Sequence, residues 1–97
     1  MKTTAEIVEI LRDYKARSAE KYGIEMLGLF GSVARGEQNE DSDIDVFVKL
    51  WIPDFFVRMK IKEELEHLFH TKIDLIPIFE TMRALLQQNI KRDAIYI

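Results

Sequence analysis

The chain has 97 residues, no cysteine, and 14 Lys and Arg against 17 Asp and Glu, for a net charge of −3. Its length is that of one small domain, 1–97, with a modest core. The acidic balance argues against a nucleic-acid surface, and the lack of thiols excludes disulfides and thiolate metal sites. No apolar run approaches the roughly 20 residues that span a bilayer. Residues 1–6 lack a signal peptide's apolar segment, so the expectation is a cytoplasmic protein.

Thr3-x-x-Glu6 is a capping-box signature and opens a first helix that runs to about Tyr22, before Gly23. Ile7, Ile10, Leu11 and Tyr14 form its apolar stripe. Glu25–Phe30 reads as a short apolar strand. Gly31 then permits a tight turn and a close backbone approach to a ligand. Ser32 is placed to open a short helix, Val33-Ala34-Arg35, with Gly36 as its C-terminal cap. Free N–H groups at such a start attract phosphate, and the Ser32 hydroxyl adds a donor; a plain strand-turn-helix connector is the competing reading. Neither Gly-x-x-x-x-Gly-Lys-Ser/Thr nor Gly-x-Gly-x-x-Gly occurs. Arg35 either screens phosphate charge or is a solvated helix-end cation.

Ile44–Leu50 is rich in β-branched residues and reads as a largely buried strand. Because successive side chains alternate, Asp43 and Asp45 share a face, with Cα atoms roughly 6–7 Å apart. At that separation two carboxylates repel by about 3 kcal/mol at an effective dielectric near 20. A hard divalent cation such as Mg²⁺, which takes few carboxylates and fills its shell with water and phosphate oxygens, is the simplest compensation. Two solvated loop acids are the alternative.

Asp54 starts a second helix through His70, lined on one side by Val57, Ile61, Leu65, Leu68 and Phe69. Phe55, Phe56 and Met59 fall off that stripe, and Trp51 lies just before the helix. They either close the bottom of the core, the favoured expectation in so small a domain, or form an exposed patch for a partner protein or a second copy. His67 and His70 are not spaced as a zinc pair. Lys72–Ile78 reads as a third strand, in which Asp74 would be costly unless it faced water, paired with Lys72, or joined Asp43 and Asp45 as metal ligand or proton acceptor. Glu80 or Thr81 begins a third helix with Met82, Leu85, Leu86 and Ile90 inward. The expected fold is α/β (α+β), a mixed sheet covered by helices in the order α-β-(turn)-β-α-β-α.

Gly31-Ser32-x-x-x-Gly36 followed by Ser42-Asp43-x-Asp45, with Asp74 in a later strand, resembles the nucleotidyltransferase superfamily of DNA polymerase β type. More narrowly, it resembles the minimal nucleotidyltransferases that serve as antitoxins in prokaryotic HEPN/MNT toxin–antitoxin pairs. The likeness covers most of the chain, including the tail Ile90–Ile97, although Val33 stands where a basic residue is frequent in the family. The resemblance implies that Gly31 and Ser32, with Arg35 nearby, hold nucleotide phosphates. It implies that Asp43, Asp45 and Asp74 form a catalytic and Mg²⁺-binding triad, with ATP or another NTP as substrate. The implied activity is transfer of AMP to a hydroxyl of a HEPN-type toxin. The alternative is a non-catalytic antitoxin that silences the toxin by binding alone. Either reading leaves a homo-oligomer or a hetero-complex open, because no acceptor-binding domain fits in the chain. A small-molecule or RNA-end acceptor fits less well for the same reason.

Overall fold

The computed structural model describes residues 2–39, 43–79 and 94–97. Helix α1 (Thr4–Tyr22) leads into strand β1 (Ile24–Phe30), which passes directly into the single-turn helix α2 (Gly31–Ala34). Strand β2 (Ile44–Leu50), helix α3 (Phe55–Phe69), strand β3 (Ile73–Pro77) and the two-residue strand β4 (Ile95–Tyr96) complete the order. The sheet runs β3-β2-β1-β4. The β1–β2 and β1–β4 pairs are antiparallel, whereas β2 and β3 are parallel, with α3 as their crossover. This is the mixed sheet with helices that the sequence suggests. The expected third helix lies outside the described residues, and β4 was not foreseen.

Helix ends follow local chemistry. At the start of α1 the Thr3 hydroxyl accepts from Glu6 N–H at 3.2 Å, and the Glu6 carboxylate accepts from Thr3 N–H at 3.0 Å. Its end is Gly23 in the left-handed region, φ 68°. Asp54 caps α3 by accepting from Phe56 and Val57 N–H at 2.9 and 3.2 Å. The last turn of α3 closes on His70, itself left-handed at φ 53°.

The two faces of the sheet differ in kind. One carries Leu27, Leu29, Val46, Val48, Ile73 and Leu75, buried against Ile7, Leu11 and Tyr14 of α1 and Ile61, Leu65 and Phe69 of α3. Each fully buried aliphatic side chain contributes about 1.5–3 kcal/mol, and this layer is the core. A polar clasp joins the two helices across it. Tyr14 and Tyr22 hydroxyls donate to the two oxygens of Glu64 at 2.8 and 2.6 Å. Withdrawal from water alone would raise Glu64, but the two donated hydrogen bonds outweigh it and hold the carboxyl below its ordinary range. The Tyr22 hydroxyl is pushed up to about 12, chiefly by its bond to Glu64, and Tyr14 is pushed up by burial and the same partner.

The opposite face is organised in rows across the strands. One row aligns Asp74, Asp45 and Phe30; the next aligns Ile76, Phe47, Gly28 and Tyr96. Phe47 is fully buried, and its ring meets Tyr96 edge-on at 5.3 Å and Phe30 at 6.4 Å. Gly28 makes this row feasible: a Cβ there would run into the Phe47 ring and lie 2.6 Å from the Ile95 carbonyl oxygen. The strand therefore keeps a residue without a side chain where a neighbouring ring crosses it. Gly28→Ala should cost about 1–3 kcal/mol, read as a lower denaturant midpoint at unchanged slope, and should loosen β4 first.

Candidate functional site

The end of the sheet where β1 leaves and β2 enters brings the predicted residues together. Gly31 takes φ +73°, a left-handed conformation that favours glycine. A Cβ on Gly31 would collide with the Asp45 carboxylate, so the glycine is also the space into which that carboxylate leans. The short helix differs from expectation at its start: it begins at Gly31, with Phe30 as N-cap and no side-chain cap bond. Ser32 thus sits within the first turn rather than before it. The reason is that β1 runs into the helix without a linking residue, and the left-handed glycine makes the turn.

Its far end is a Schellman closure. Glu37 N–H donates to the Ser32 carbonyl at 2.8 Å and Gly36 N–H to the Val33 carbonyl at 3.1 Å, with Gly36 at φ +73°. The Thr4 hydroxyl donates to the Val33 carbonyl at 2.7 Å and ties this turn to the start of α1.

Asp45 is half-buried in β2, and parallel pairing sets it opposite Asp74 of β3. Asp74 and Asp43, which precedes β2, are exposed. Burial pushes the Asp45 carboxyl above its ordinary value, and the charges of Asp74 and Asp43 and hydrogen bonding with Asp74 add to this; Arg35 pulls it back. The charges of Asp74 and Asp43 thus both bear on Asp45, which lies between β1 and β3. Arg35 caps the end of the short helix and lies 3.1 Å from Glu37, so it contributes a positive field to the acids from the helix's closing end.

Among the described residues, no group of three or more His, Cys, Asp or Glu is placed to hold a metal ion. The open carboxylate set nevertheless fits Mg²⁺, a cation that takes one or two carboxylates and completes its octahedron with water and phosphate. A half-buried carboxylate raised by two like charges is the kind of group whose cost a divalent cation offsets. His67 and His70 lie elsewhere, on the exposed end of α3 with ring centres 6.1 Å apart.

Sequence reasoning did not identify Gly28 and Phe47, which lie one row behind the acids. The available signal was a lone glycine inside an apolar strand. It also favoured core positions for Trp51, Phe55 and Phe56, whereas these are 69%, 57% and 82% exposed. Asp54 starts α3 at Phe55, and the inward stripe at helical spacing then leaves Phe55 and Phe56 outside it.

The chain matches the family model for polymerase beta nucleotidyltransferases over residues 6–97. It is similar to a candidate protein adenylyltransferase of Methanocaldococcus jannaschii, 40% identical over 100 residues and covering 100% of both chains. It is also 33% identical over 98 residues to the protein adenylyltransferase MntA of Thermococcus cleftensis, covering 100% of this chain and 98% of the relative. In fold it resembles the solved complex of the tri-AMPylated HEPN toxin of Shewanella oneidensis with its MNT antitoxin, with TM-score 0.57 at 21% identity, covering 96% of this chain and 66% of that one. No helix among the described residues is long and apolar enough to cross a membrane.

Because the folded state holds the Asp45 proton more tightly than the unfolded chain does, the metal-free protein should lose stability as pH rises from the ordinary carboxylate range through Asp45's raised value. Asp45→Asn should flatten that part of the pH profile. At neutral pH it should raise the melting temperature of the metal-free protein and remove any thermal shift that Mg²⁺ produces. Thermal melts across pH, with and without Mg²⁺, check both signs.

Proposed function

The chain belongs to the polymerase beta-type nucleotidyltransferase family, and on that premise we propose that it moves AMP from ATP onto a hydroxyl of a HEPN-type toxin, acting as that toxin's antitoxin. The single observation that carries the reading is the Asp45–Asp74 pairing across β2 and β3, with Gly31 backed against the Asp45 carboxylate. Relatives of full-length similarity named as adenylyltransferases support the adenylyl group. The likeness to an antitoxin complexed with an AMPylated HEPN toxin supports the acceptor.

In this reading Gly31 and Ser32 present backbone N–H groups and a hydroxyl to the triphosphate, and Arg35 offsets its charge. Asp43 and Asp45, with Asp74, would hold Mg²⁺. When bound, that ion neutralises phosphoryl charge and favours ionisation of the attacking hydroxyl. Asp74, exposed at the rim, takes the proton of the acceptor hydroxyl. The acceptor oxygen forms a bond to the α-phosphorus, the bond from that phosphorus to the bridging oxygen breaks, and pyrophosphate leaves with the electron pair. Asp45 sits deepest and is fixed by the Gly31 turn, so its task is to hold position rather than to exchange protons with solvent. Asp43 and Asp74 are exposed, which fits a macromolecular partner that brings its own hydroxyl to the open acids.

Incubation with the HEPN-type partner, ATP and Mg²⁺ should add an adenylyl group to that partner, read by intact-protein mass spectrometry. Asp74→Asn should slow the transfer by roughly 10²–10⁴-fold, and the Asp43→Asn, Asp45→Asn pair should abolish it. If that double variant still relieved toxicity in cells as well as the wild type, silencing would proceed by binding alone.

A further inference from the structure

The loop from β2 to α3 exposes a run of apolar side chains at the end of the sheet remote from the acids. Trp51 is 69% exposed, Ile52 80%, Phe55 57% and Phe56 82%. Together they leave roughly 600 Å² of apolar side chain in water, with aromatics at 150–250 Å² each when whole. That is at the upper end of the largest patch on an ordinary monomer, about 300–600 Å².

The patch is built rather than loose. Trp51 N–H donates to the Gly23 carbonyl at 2.9 Å, which fixes its base to the turn between α1 and β1. Asp54 locks the first turn of α3. Phe55 and Phe56 meet edge-on at 5.7 Å, and the Arg58 guanidinium stacks over Phe55 at 5.4 Å. Within the patch, the Phe55 ring is held by Phe56 and Arg58, which reduces the freedom it loses on contact.

We propose that this patch is the two-fold face through which two copies of this chain pair. Two such patches would together bury about 1,200 Å², where specific stable interfaces begin. The charges at its border are self-complementary: Asp54 and Arg58 stand one helical turn apart beside the apolar centre, so a two-fold axis through the aromatics sets each Arg58 toward the other copy's Asp54. An isologous contact brings the same patch together twice, so an acid and a base beside it can pair across the axis. The geometry also leaves function intact. The strand from Asp45 to Trp51 spans about 20 Å, so pairing here points both acid clusters outward, each open to its own acceptor.

Sedimentation of the full chain over a low to high micromolar range should give the mass of two chains. The sole tryptophan, Trp51, should shift its emission to the blue as concentration rises. Phe56→Glu should sediment as a single chain while keeping its far-ultraviolet circular dichroism and its binding of ATP with Mg²⁺. Arg58→Glu should raise the dissociation constant at least about tenfold, since it sets like charges against each other. A wild-type mass of one chain with tryptophan emission independent of concentration overturns the proposal. So does a Phe56→Glu protein that still pairs, or a monomer that buries Trp51 only when a toxin partner is added. Because the wild-type mass and emission need no activity, a failed adenylyl-transfer assay leaves this result unaffected.

Discussion

Everything at the site follows from one electrostatic conflict: a half-buried Asp45 placed by strand pairing beside Asp74 and within the field of Asp43. A fold selected for stability alone would not align two acids in adjacent strands at the same register. The cost is met locally by geometry that keeps the carboxylate in place. Gly31 has no side chain to push it aside, the closing end of the short helix brings Arg35 close, and the Thr4 hydroxyl ties the turn to α1. In the proposed reaction a divalent cation would offset the remainder of that cost, so the conflict that lowers stability would also favour a cation between the acids and an incoming phosphate.

The sheet separates these demands by face. The side toward α1 and α3 carries the apolar core, and Tyr14, Tyr22 and Glu64 join the two helices at one edge. The other side carries the acids, with Phe47 and Tyr96 meeting over Gly28 in the next row. Gly28 keeps that next row closed, because a side chain there would meet the Phe47 ring and the Ile95 carbonyl. The buried Lys49, 2.7 Å from Glu25, lies farther along the same face of β2, beyond reach of the acids and concerned with holding the strands together.

Much of this was legible in the chain. The capping box at Thr3, the stripe Ile61-Leu65-Phe69 and the alternation through Asp43 and Asp45 each depend on local spacing, and local spacing is what a sequence displays directly. The adjacency of Asp74 was readable from the residues only as one of three alternatives, because which strands pair, and in what register, is settled by the whole sheet. Two features were less accessible. Tyr96 belongs to a strand of two residues, too short for any period to register. Phe55 and Phe56 look like core by composition, and only the position of the Asp54 cap decides that the helix turns them outward.

The parallel alignment of β2 with β3 has a further consequence, for biosynthesis. Antiparallel strands can meet through a hairpin, but this pair is separated by the whole of α3, and its partners are distant in the chain. Asp45 therefore leaves the ribosome well before Asp74 and cannot meet it until the intervening helix has docked. A nascent or truncated fragment carries the glycine turn and two of the acids without the third. The pairing of Asp45 with Asp74 is thus assembled only after α3 and β3 have followed β2 out of the ribosome.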